Sequence, residues 1–127
     1  MKIRIKGNSI RFRLTQSEVA QLCQQRKIHE TTDLPSNTFT YGVEVIKGDS
    51  LSADVNDNNI ILKVPASHIE GWEKNQKVGF YHTFYTSNGK AVDLMLEKDF
   101  TCLDERGEDE SDNYPNPKAD LASGNIF

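Results

Sequence analysis

Residues 2–14 read KIRIKGNSIRFRL, and this stretch decides the first part of the fold. Apolar residues alternate with basic ones on both sides of Gly7-Asn8, which is typical of two strands joined by a two-residue hairpin loop. That register puts apolar residues opposite each other on one face and Arg4 opposite Arg11 on the other. Like charges directly opposite each other are unfavourable, so we expect an anion near them, or open solvent.

Charge is distributed very unevenly along the 127 residues, although the net charge is only −4. Residues 1–13 contain five basic residues and no acid, whereas residues 102–117 contain six carboxylates against Arg106. The first set predicts an anion-binding site made of Lys2, Arg4, Arg11 and Arg13. The second set, with an aromatic anchor, predicts an acidic strap made of Asp104, Glu105, Glu108, Asp109, Glu110, Asp112 and Tyr114.

The acidic strap and the basic hairpin carry opposite charges of similar size. Acid-rich segments without apolar anchors normally stay disordered, but Tyr114 can anchor this one and its prolines lower the entropy lost on ordering. We therefore hypothesise that residues 104–117 lie over basic residues of 1–13, in the same chain or in a partner chain. The predicted domain organisation is one α+β domain over residues 1–103 and a C-terminal strap or tail over residues 104–127.

Helix signals occur at two places. Thr15 and Glu18 form the pattern of a capping box, and the apolar spacing that follows predicts a helix over residues 15–26. Ser67 and Glu70 form the same pattern and predict a short helix near residues 67–74.

Alternating apolar residues predict strands along most of the remaining chain. Residues 28–33 are interpreted as a short strand, and residues 39–64 as a meander with a turn at Asp57-Asn58. Residues 78–98 are interpreted as a hairpin with a three-residue loop at 87–89, and residues 99–103 as a last strand.

These elements predict an α+β fold that is mainly antiparallel β, with about eight strands in a sheet or a partly open barrel. No internal repeat is evident in the sequence. The predicted core consists of Ile3, Ile5, Ile10, Phe12, Val19, Leu22, Val43, Leu62, Trp72, Phe80, Phe84 and Leu94.

Motifs for catalysis or cofactor binding are missing from the sequence. No glycine-rich phosphate loop, nucleophile elbow or HExxH is present, and the stretch that begins at Asp54 has Asn59 where a calcium loop needs glycine. We interpret Cys23 as a small buried apolar residue and His82 as a core histidine. The sequence therefore predicts no metal site, no cofactor and no catalytic residue.

The stretches IKGNSIRFRLTQSEV (residues 5–19), FTCL (100–103) and EDESDNYPNP (108–117) resemble a family of small uncharacterised bacterial proteins with no assigned activity. The resemblance extends from residue 1 to about residue 117. It implies a single folded domain inside the cell and assigns no role to any residue.

We interpret the chain as a cytoplasmic binding or interaction domain, with a homo-oligomer and a small anionic ligand as the partners to test. The first alternative is an enzyme that handles polyphosphate-like anions inside a tunnel-like β-barrel, with polar strand residues such as Glu44, Asp54, Lys63 and Asp93 pointing inward. This would be similar to the triphosphate tunnel enzymes.

The second alternative is a nucleic-acid-binding module. The net negative charge and the lack of aromatic residues between the basic ones argue against it. No apolar run is long enough to cross a membrane, so no membrane partner is expected.

Overall fold

A computed structural model describes residues 1–101 and 110–116. The described residues form an α+β fold with eight strands and two helices. In chain order these are β1 (Lys2–Lys6), β2 (Ser9–Leu14), α1 (Gln16–Gln25), β3 (Lys27–Asp33), β4 (Thr38–Ile46), β5 (Ser52–Asn56), β6 (Asn59–Pro65), α2 (Ala66–Ile69), β7 (Gly79–Tyr85) and β8 (Ala91–Lys98). The predicted fold class is confirmed.

The strands form four antiparallel hairpins, and the predicted registers of three of them are confirmed. In the first, Arg4 lies opposite Arg11, and Gly7 takes the positive φ of 55° that its two-residue loop requires. In the third, the loop residues Asp57 and Asn58 have φ values of 48° and 63°. The fourth has the predicted three-residue loop, with Gly89 at φ 81°.

The hairpins combine into two four-stranded sheets with the same internal arrangement. Sheet A has the order β1-β2-β8-β7, and sheet B has the order β3-β4-β6-β5. In each sheet the second strands of two hairpins form the central parallel pair, and the first strands form the edges. Phe12 pairs with Leu96 at the centre of sheet A, and Val43 pairs with Leu62 at the centre of sheet B.

This arrangement is a duplication of a ββαββ unit. The first unit runs from β1 to β4 through α1, and the second runs from β5 to β8 through α2. Each sheet contains one hairpin from each unit. If each strand of one unit is replaced by the corresponding strand of the other, the order of sheet A becomes the order of sheet B. The expectation that the chain has no internal repeat is therefore wrong at the level of structure.

Inward positions of the two units correspond residue by residue. From Ile10 onward, each inward residue of the first hairpin and helix corresponds to the residue fifty positions later in the chain. The matched pairs are Ile10 with Ile60, Phe12 with Leu62, Leu14 with Val64, Val19 with Ile69, and Leu22 with Trp72. All are buried except Ile10, which is partly buried.

Two strand predictions are wrong. Strands β4 to β6 do not form a meander, because β6 lies between β4 and β5 and pairs in parallel with β4. β6 is buried over most of its length, which suits a central position, whereas β5 is mostly exposed, which suits an edge.

The predicted last strand is also absent from the described residues. Phe100 forms only an isolated bridge with Tyr114. The backbone here divides its hydrogen bonds between Leu14, which accepts from Asp99, and Tyr114, which accepts from Thr101. No continuous ladder forms, and residues 102–109 lie outside the described part of the chain.

The second helix is shorter than predicted and begins differently. It covers Ala66–Ile69, directly after β6, so its N-cap is Pro65 and Ser67 is a residue of the helix rather than its cap. Gly71 has a φ of 73°, which no right-handed helix accommodates, and the helix therefore stops before residue 74. Trp72 follows in a turn and is fully buried.

The two sheets and α1 share one hydrophobic core. Most of the predicted core residues are buried or partly buried, but Ile5 is 58 % exposed. Ile5 lies at the end of edge strand β1, beyond the cover of sheet B. Buried apolar residues that the prediction left out are Leu14, Ile28, Leu51, Ile60, Val64, Ile69 and Leu96.

Replacing Ile28 and Ile5 separately by alanine tests this division of the core. Ile28→Ala leaves a cavity beside Val43, so we expect the free energy of unfolding to fall by about 2–5 kcal/mol. Ile5→Ala changes an exposed position and should cost about 0.5 kcal/mol or less. Urea unfolding measures both values, and equal losses would contradict the described packing.

Candidate functional site

The outward side of the first hairpin forms a basic face, which we define as Lys2, Arg4, Lys6, Arg11 and Arg13. These side chains alternate with Ile3, Ile10, Phe12 and Leu14, which point toward the core. Within the described residues the strands form two separate sheets rather than a closed barrel. The basic residues therefore face open solvent on sheet A.

Strand β8 supplies an acid that neutralises part of the basic face. Nε of Arg11 lies 3.0 Å and Nε of Arg13 lies 3.8 Å from Oε1 of Glu97. The Arg11 Nε atom is buried, and among the described residues it makes no well-directed hydrogen bond in spite of this short distance. Arg11 thus has a charge partner but an incompletely satisfied guanidinium.

The remaining basic residues divide into two groups. Nζ of Lys2 lies 3.2 Å from Oδ2 of Asp99, whose side chain is nearly buried. Neither Arg4 nor Lys6 forms an ion pair with any residue in 1–101 or 110–116. The unfavourable pair of Arg4 and Arg11 therefore has no acid on the Arg4 side within this part of the chain.

Two shallow cavities lie along this face. One of about 210 Å³ is lined by Arg4, Lys6, Ser9, Arg11 and Met95. Another of about 260 Å³ has Lys2, Arg13, Glu97, Asp99 and Glu110 among its lining residues. The first is surrounded by cationic groups, and the second has mixed charge. An anion therefore fits the first cavity better.

The described part of the predicted strap, residues 110–116, lies against α1 and the end of β8. Oδ1 and Oδ2 of Asp112 accept hydrogen bonds from the backbone N–H and the hydroxyl of Ser17 at 3.2 and 2.5 Å. Hydrogen bonds from Ser17 and Thr15 lower the pKa of Asp112. Asp112 therefore stabilises the N-terminus of α1, and among the described residues it contacts no basic one.

Tyr114 holds this segment against residues 98–101. Its backbone accepts a hydrogen bond from the Thr101 N–H at 2.7 Å, and its ring lies 5.8 Å from that of Phe100 and 5.0 Å from Nζ of Lys98. Burial raises the pKa of Tyr114 to about 12. Asp104, Glu105, Glu108 and Asp109 lie outside the described residues, so the strap hypothesis stays a prediction for them.

Lys98 is a buried cation that sequence reasoning missed. It is 4 % exposed, donates to the backbone oxygen of Asn75 at 2.7 Å, and lies over the ring of Trp72. Burial lowers its pKa. In the sequence, only the alternation of Lys98 with Leu94 and Leu96 on β8 indicated that its side chain points toward the core.

A second polar cluster lies at the start of the chain. The amino group of Met1 lies 2.5 Å from Glu18 and 3.1 Å from Glu30, and the Tyr41 hydroxyl donates to Glu30 at 2.8 Å. Burial opposes the charged amine, but the hydrogen bonds that it donates to Glu18 and Glu30, together with their negative charges, outweigh burial and raise its pKa. Both carboxylates are thus engaged in holding β1 to α1 and β3.

The remaining candidate residues form no further site in the described part. Cys23 is partly buried, its thiol donates to the Ile69 oxygen, and burial raises its pKa, which disfavours a nucleophilic thiolate. The polar strand residues Glu44, Asp54 and Lys63 lie on sheet B, away from Asp93 on sheet A. Residues 1–101 and 110–116 contain no cluster of three His, Cys, Asp or Glu suited to a metal.

Two tyrosines extend the basic face across sheet A. Tyr81 and Tyr85 on β7 are 59 % and 70 % exposed, and the Tyr81 hydroxyl donates to Oε2 of Glu97 at 2.8 Å. The sequence gave no sign of this proximity, since β7 follows β1 by more than seventy residues and reaches it only through β8 and β2.

Comparison with protein families finds one match, the Family of unknown function (DUF7009), over residues 1–118. The chain belongs to this family. The match confirms the resemblance noted in the sequence, and the family description assigns no activity. Comparisons with curated proteins and with solved structures find no match. In the described part of this family member, no helix has the length and apolar character needed to cross a membrane.

Asp112→Asn tests the contact between residues 110–116 and α1. The pKa of Asp112 is lowered in the folded chain, so its contribution is present above its unfolded pKa, near 3.9, and is lost as the pH falls through the folded pKa. We expect Asp112→Asn to cost roughly 0.3–1 kcal/mol at pH 7, the usual contribution of a negative charge at a helix N-terminus, and little at pH 2–3. Urea unfolding at both pH values measures this.

Asp49→Asn is the matched control, because Asp49 is exposed on a loop. It should change the free energy of unfolding little at either pH. If Asp112→Asn lowers the free energy of unfolding as much at low pH as at pH 7, the negative charge of Asp112 does not stabilise α1.

Proposed function

We propose that this chain is a binding domain that holds an anionic partner on its basic face, and that it carries no catalytic machinery. The cationic residues on β1 and β2 attract the anion, and the cavity lined by Arg4, Lys6 and Arg11 receives it. Arg11 contributes a guanidinium that lines this cavity, while its buried Nε lies 3.0 Å from Oε1 of Glu97. Guanidinium groups bind phosphate and carboxylate with two parallel hydrogen bonds, which suits this role.

The observation that carries the proposal is a comparison between the two units of the duplication. The inward positions of β2 and α1 match those fifty residues later apolar for apolar, but the outward positions of the two hairpins differ in charge. Where β1 and β2 have Lys2, Arg4, Lys6, Arg11 and Arg13, the corresponding positions of β5 and β6 have Ser52, Asp54, Asn56, Ile61 and Lys63. The hairpin of β5 and β6 therefore forms without a basic outward face, and among the described residues Arg4 has no acidic partner to offset the cost of lying opposite Arg11.

The open arrangement of the sheets favours a binding function over a tunnel enzyme. A tunnel would place the basic residues inside a closed barrel, where walls on all sides surround the anion. The described strands instead form two open sheets, with the basic face on the outside of one. A partner on such a face stays accessible to solvent, as expected of a binding or interaction domain.

The acidic strap would compete with an external anion for the basic face. Glu110 lines a cavity together with Lys2 and Arg13, so the described segment begins beside this face. Asp99 already pairs with Lys2. We infer that the strap residues before Glu110 compete with an external anion, and that the folded unit includes residues 110–116, because Asn113 is buried and Tyr114 packs against the core. Cytoplasmic location and homo-oligomer formation stay predictions.

Thermal unfolding in the presence of an anion tests the proposal. Tripolyphosphate should raise the melting temperature more than chloride does at equal ionic strength, and the rise should grow with concentration, because a ligand that binds only the folded state stabilises it by mass action. Arg4→Asp should abolish the difference. This substitution installs the residue that the second unit carries at the equivalent position, Asp54.

Lys47→Asp is the control, since it changes the net charge equally on an exposed loop away from the face. It should keep the effect of tripolyphosphate. If both variants lose the effect equally, or if wild type shows none, the basic face binds no anion and the proposal fails.

A further inference from the structure

The basic face continues across sheet A into a row of residues in register. Arg4 pairs with Arg11, Arg11 with Met95, and Met95 with Tyr81, so these four lie side by side on β1, β2, β8 and β7. Neighbouring strands are about 4.8 Å apart, which puts Tyr81 about 10 Å from Arg11 across the sheet. The row thus runs from cations, over a polarisable thioether, to an aromatic ring.

Tyr85 extends the aromatic side along β7. It lies four residues from Tyr81 on the same face, about 13 Å away along the strand. Neither ring stacks on another aromatic ring in the described part of the chain. The equivalent positions in the first unit are the polar His29 and Asp33, so the two exposed rings are particular to the second unit.

We propose that the outward face of sheet A binds single-stranded nucleic acid, with phosphates over β1 and β2 and bases stacked on Tyr81 and Tyr85. This rests on the proposed anion-binding function and names its partner. Basic residues on alternate positions of a strand are about 6.6 Å apart. Arg4 shares the row of Tyr81, and Lys6 lies in the next row toward Tyr85, so these two cations can follow consecutive phosphates of an extended strand. Met95 lies between Arg11 and Tyr81, below the part of the nucleotide that joins the phosphate to the base.

The exposed rings select single strands over duplexes and over simple polyanions. Stacking on a protein ring requires an unstacked base, which a duplex does not offer. A polyanion without bases would use the arginines but gain nothing from the tyrosines. An acidic peptide would likewise gain charge contacts alone from this geometry.

The two acids on β8 are compatible with this arrangement. Glu97 is already engaged with Arg11, Arg13 and the Tyr81 hydroxyl, and Asp93 accepts a hydrogen bond from Thr83. Glu97 lies beside the arginines, whereas Asp93 pairs with Thr83 and lies in the row between Tyr81 and Tyr85, where bases would stack. A carboxylate there can accept a hydrogen bond from an exocyclic amine of a base.

The local charge outweighs the net charge of the chain. Sequence reasoning disfavoured nucleic acid because no aromatic residue interrupts the basic stretch and the net charge is −4. The parallel pairing of β2 with β8 overturns the first objection, since it brings β7 into the same face. The second loses force because the five cations lie together on one face.

Fluorescence anisotropy with a short labelled oligothymidylate tests the inference on the full chain. We expect saturable binding that weakens steeply with added salt, because phosphate contacts release counterions. A duplex and unlabelled polyglutamate should compete less well than the unlabelled oligonucleotide. Tyr81→Ala and Tyr85→Ala should each weaken binding about tenfold, which corresponds to the usual contribution of one stacked base.

Tyr81→Phe and Tyr85→Phe are the matched controls, since they keep the rings. Both should bind within about twofold of wild type, a small part of the tenfold effect of a lost ring. Circular dichroism of all four variants checks that they fold, and Tyr85 is exposed enough that folding should be unaffected.

The outcomes separate this inference from the function on which it rests. If tripolyphosphate stabilises the chain but the alanine variants bind the oligonucleotide as wild type does, the face binds anions without stacking and the inference is wrong. Equal binding of polyglutamate would contradict it in the same way. If tripolyphosphate has no effect either, the anion-binding function itself fails.

Discussion

The fold depends on the parallel pairing of strands from opposite halves of the chain. β2 pairs with β8 and β4 with β6, so each sheet is completed only when the first unit of the duplication meets the second. Neither unit forms a sheet of four strands alone. Such distant pairings close long loops and are expected to form late in folding, after local hairpins and α1.

Because of this pairing, the fold constrains the inward residues of the strands more than the outward ones. Inward residues of both units meet in one core, and most are apolar: Phe12 and Leu62 are fully buried, as are Leu14 and Val64, with the buried cation Lys98 as an exception. Outward positions carry no such constraint, and there the units differ. The duplication thus acts as an internal control, in which sheet B shows the surface that the fold tolerates and sheet A shows an added basic and aromatic character.

Local features of the fold could be predicted from the sequence, and its long-range features could not. Turn residues and alternation fixed the registers around Gly7, Asp57 and Gly89, because those signals lie within a few residues. The order of strands in each sheet depends on contacts such as Phe12 with Leu96, for which the sequence offers no local signal. The duplication escaped notice because it preserves apolar character, as in Leu22 and Trp72, rather than residue identity.

The candidate site divides in the same way. Lys2, Arg4, Arg11 and Arg13 were predicted correctly to share a face, since alternation on a hairpin is local. Their acidic partners on β8 and the tyrosines on β7 required the tertiary structure. Asp112 was predicted to face a basic residue, yet within the described residues it binds the end of α1, because free N–H groups at a helix start attract a carboxylate as strongly as a cation does.

The central claim is that the basic face serves binding and is a burden to the fold. The most direct measurement is the free energy of unfolding of Arg4→Asp in urea, at low salt and without added polyvalent anion. Our account predicts a variant more stable than wild type by about 0.2–1 kcal/mol, because an opposite-charge pair replaces the like-charge pair with Arg11. A loss of stability of about 1 kcal/mol or more would show that Arg4 supports the fold, and would contradict the account.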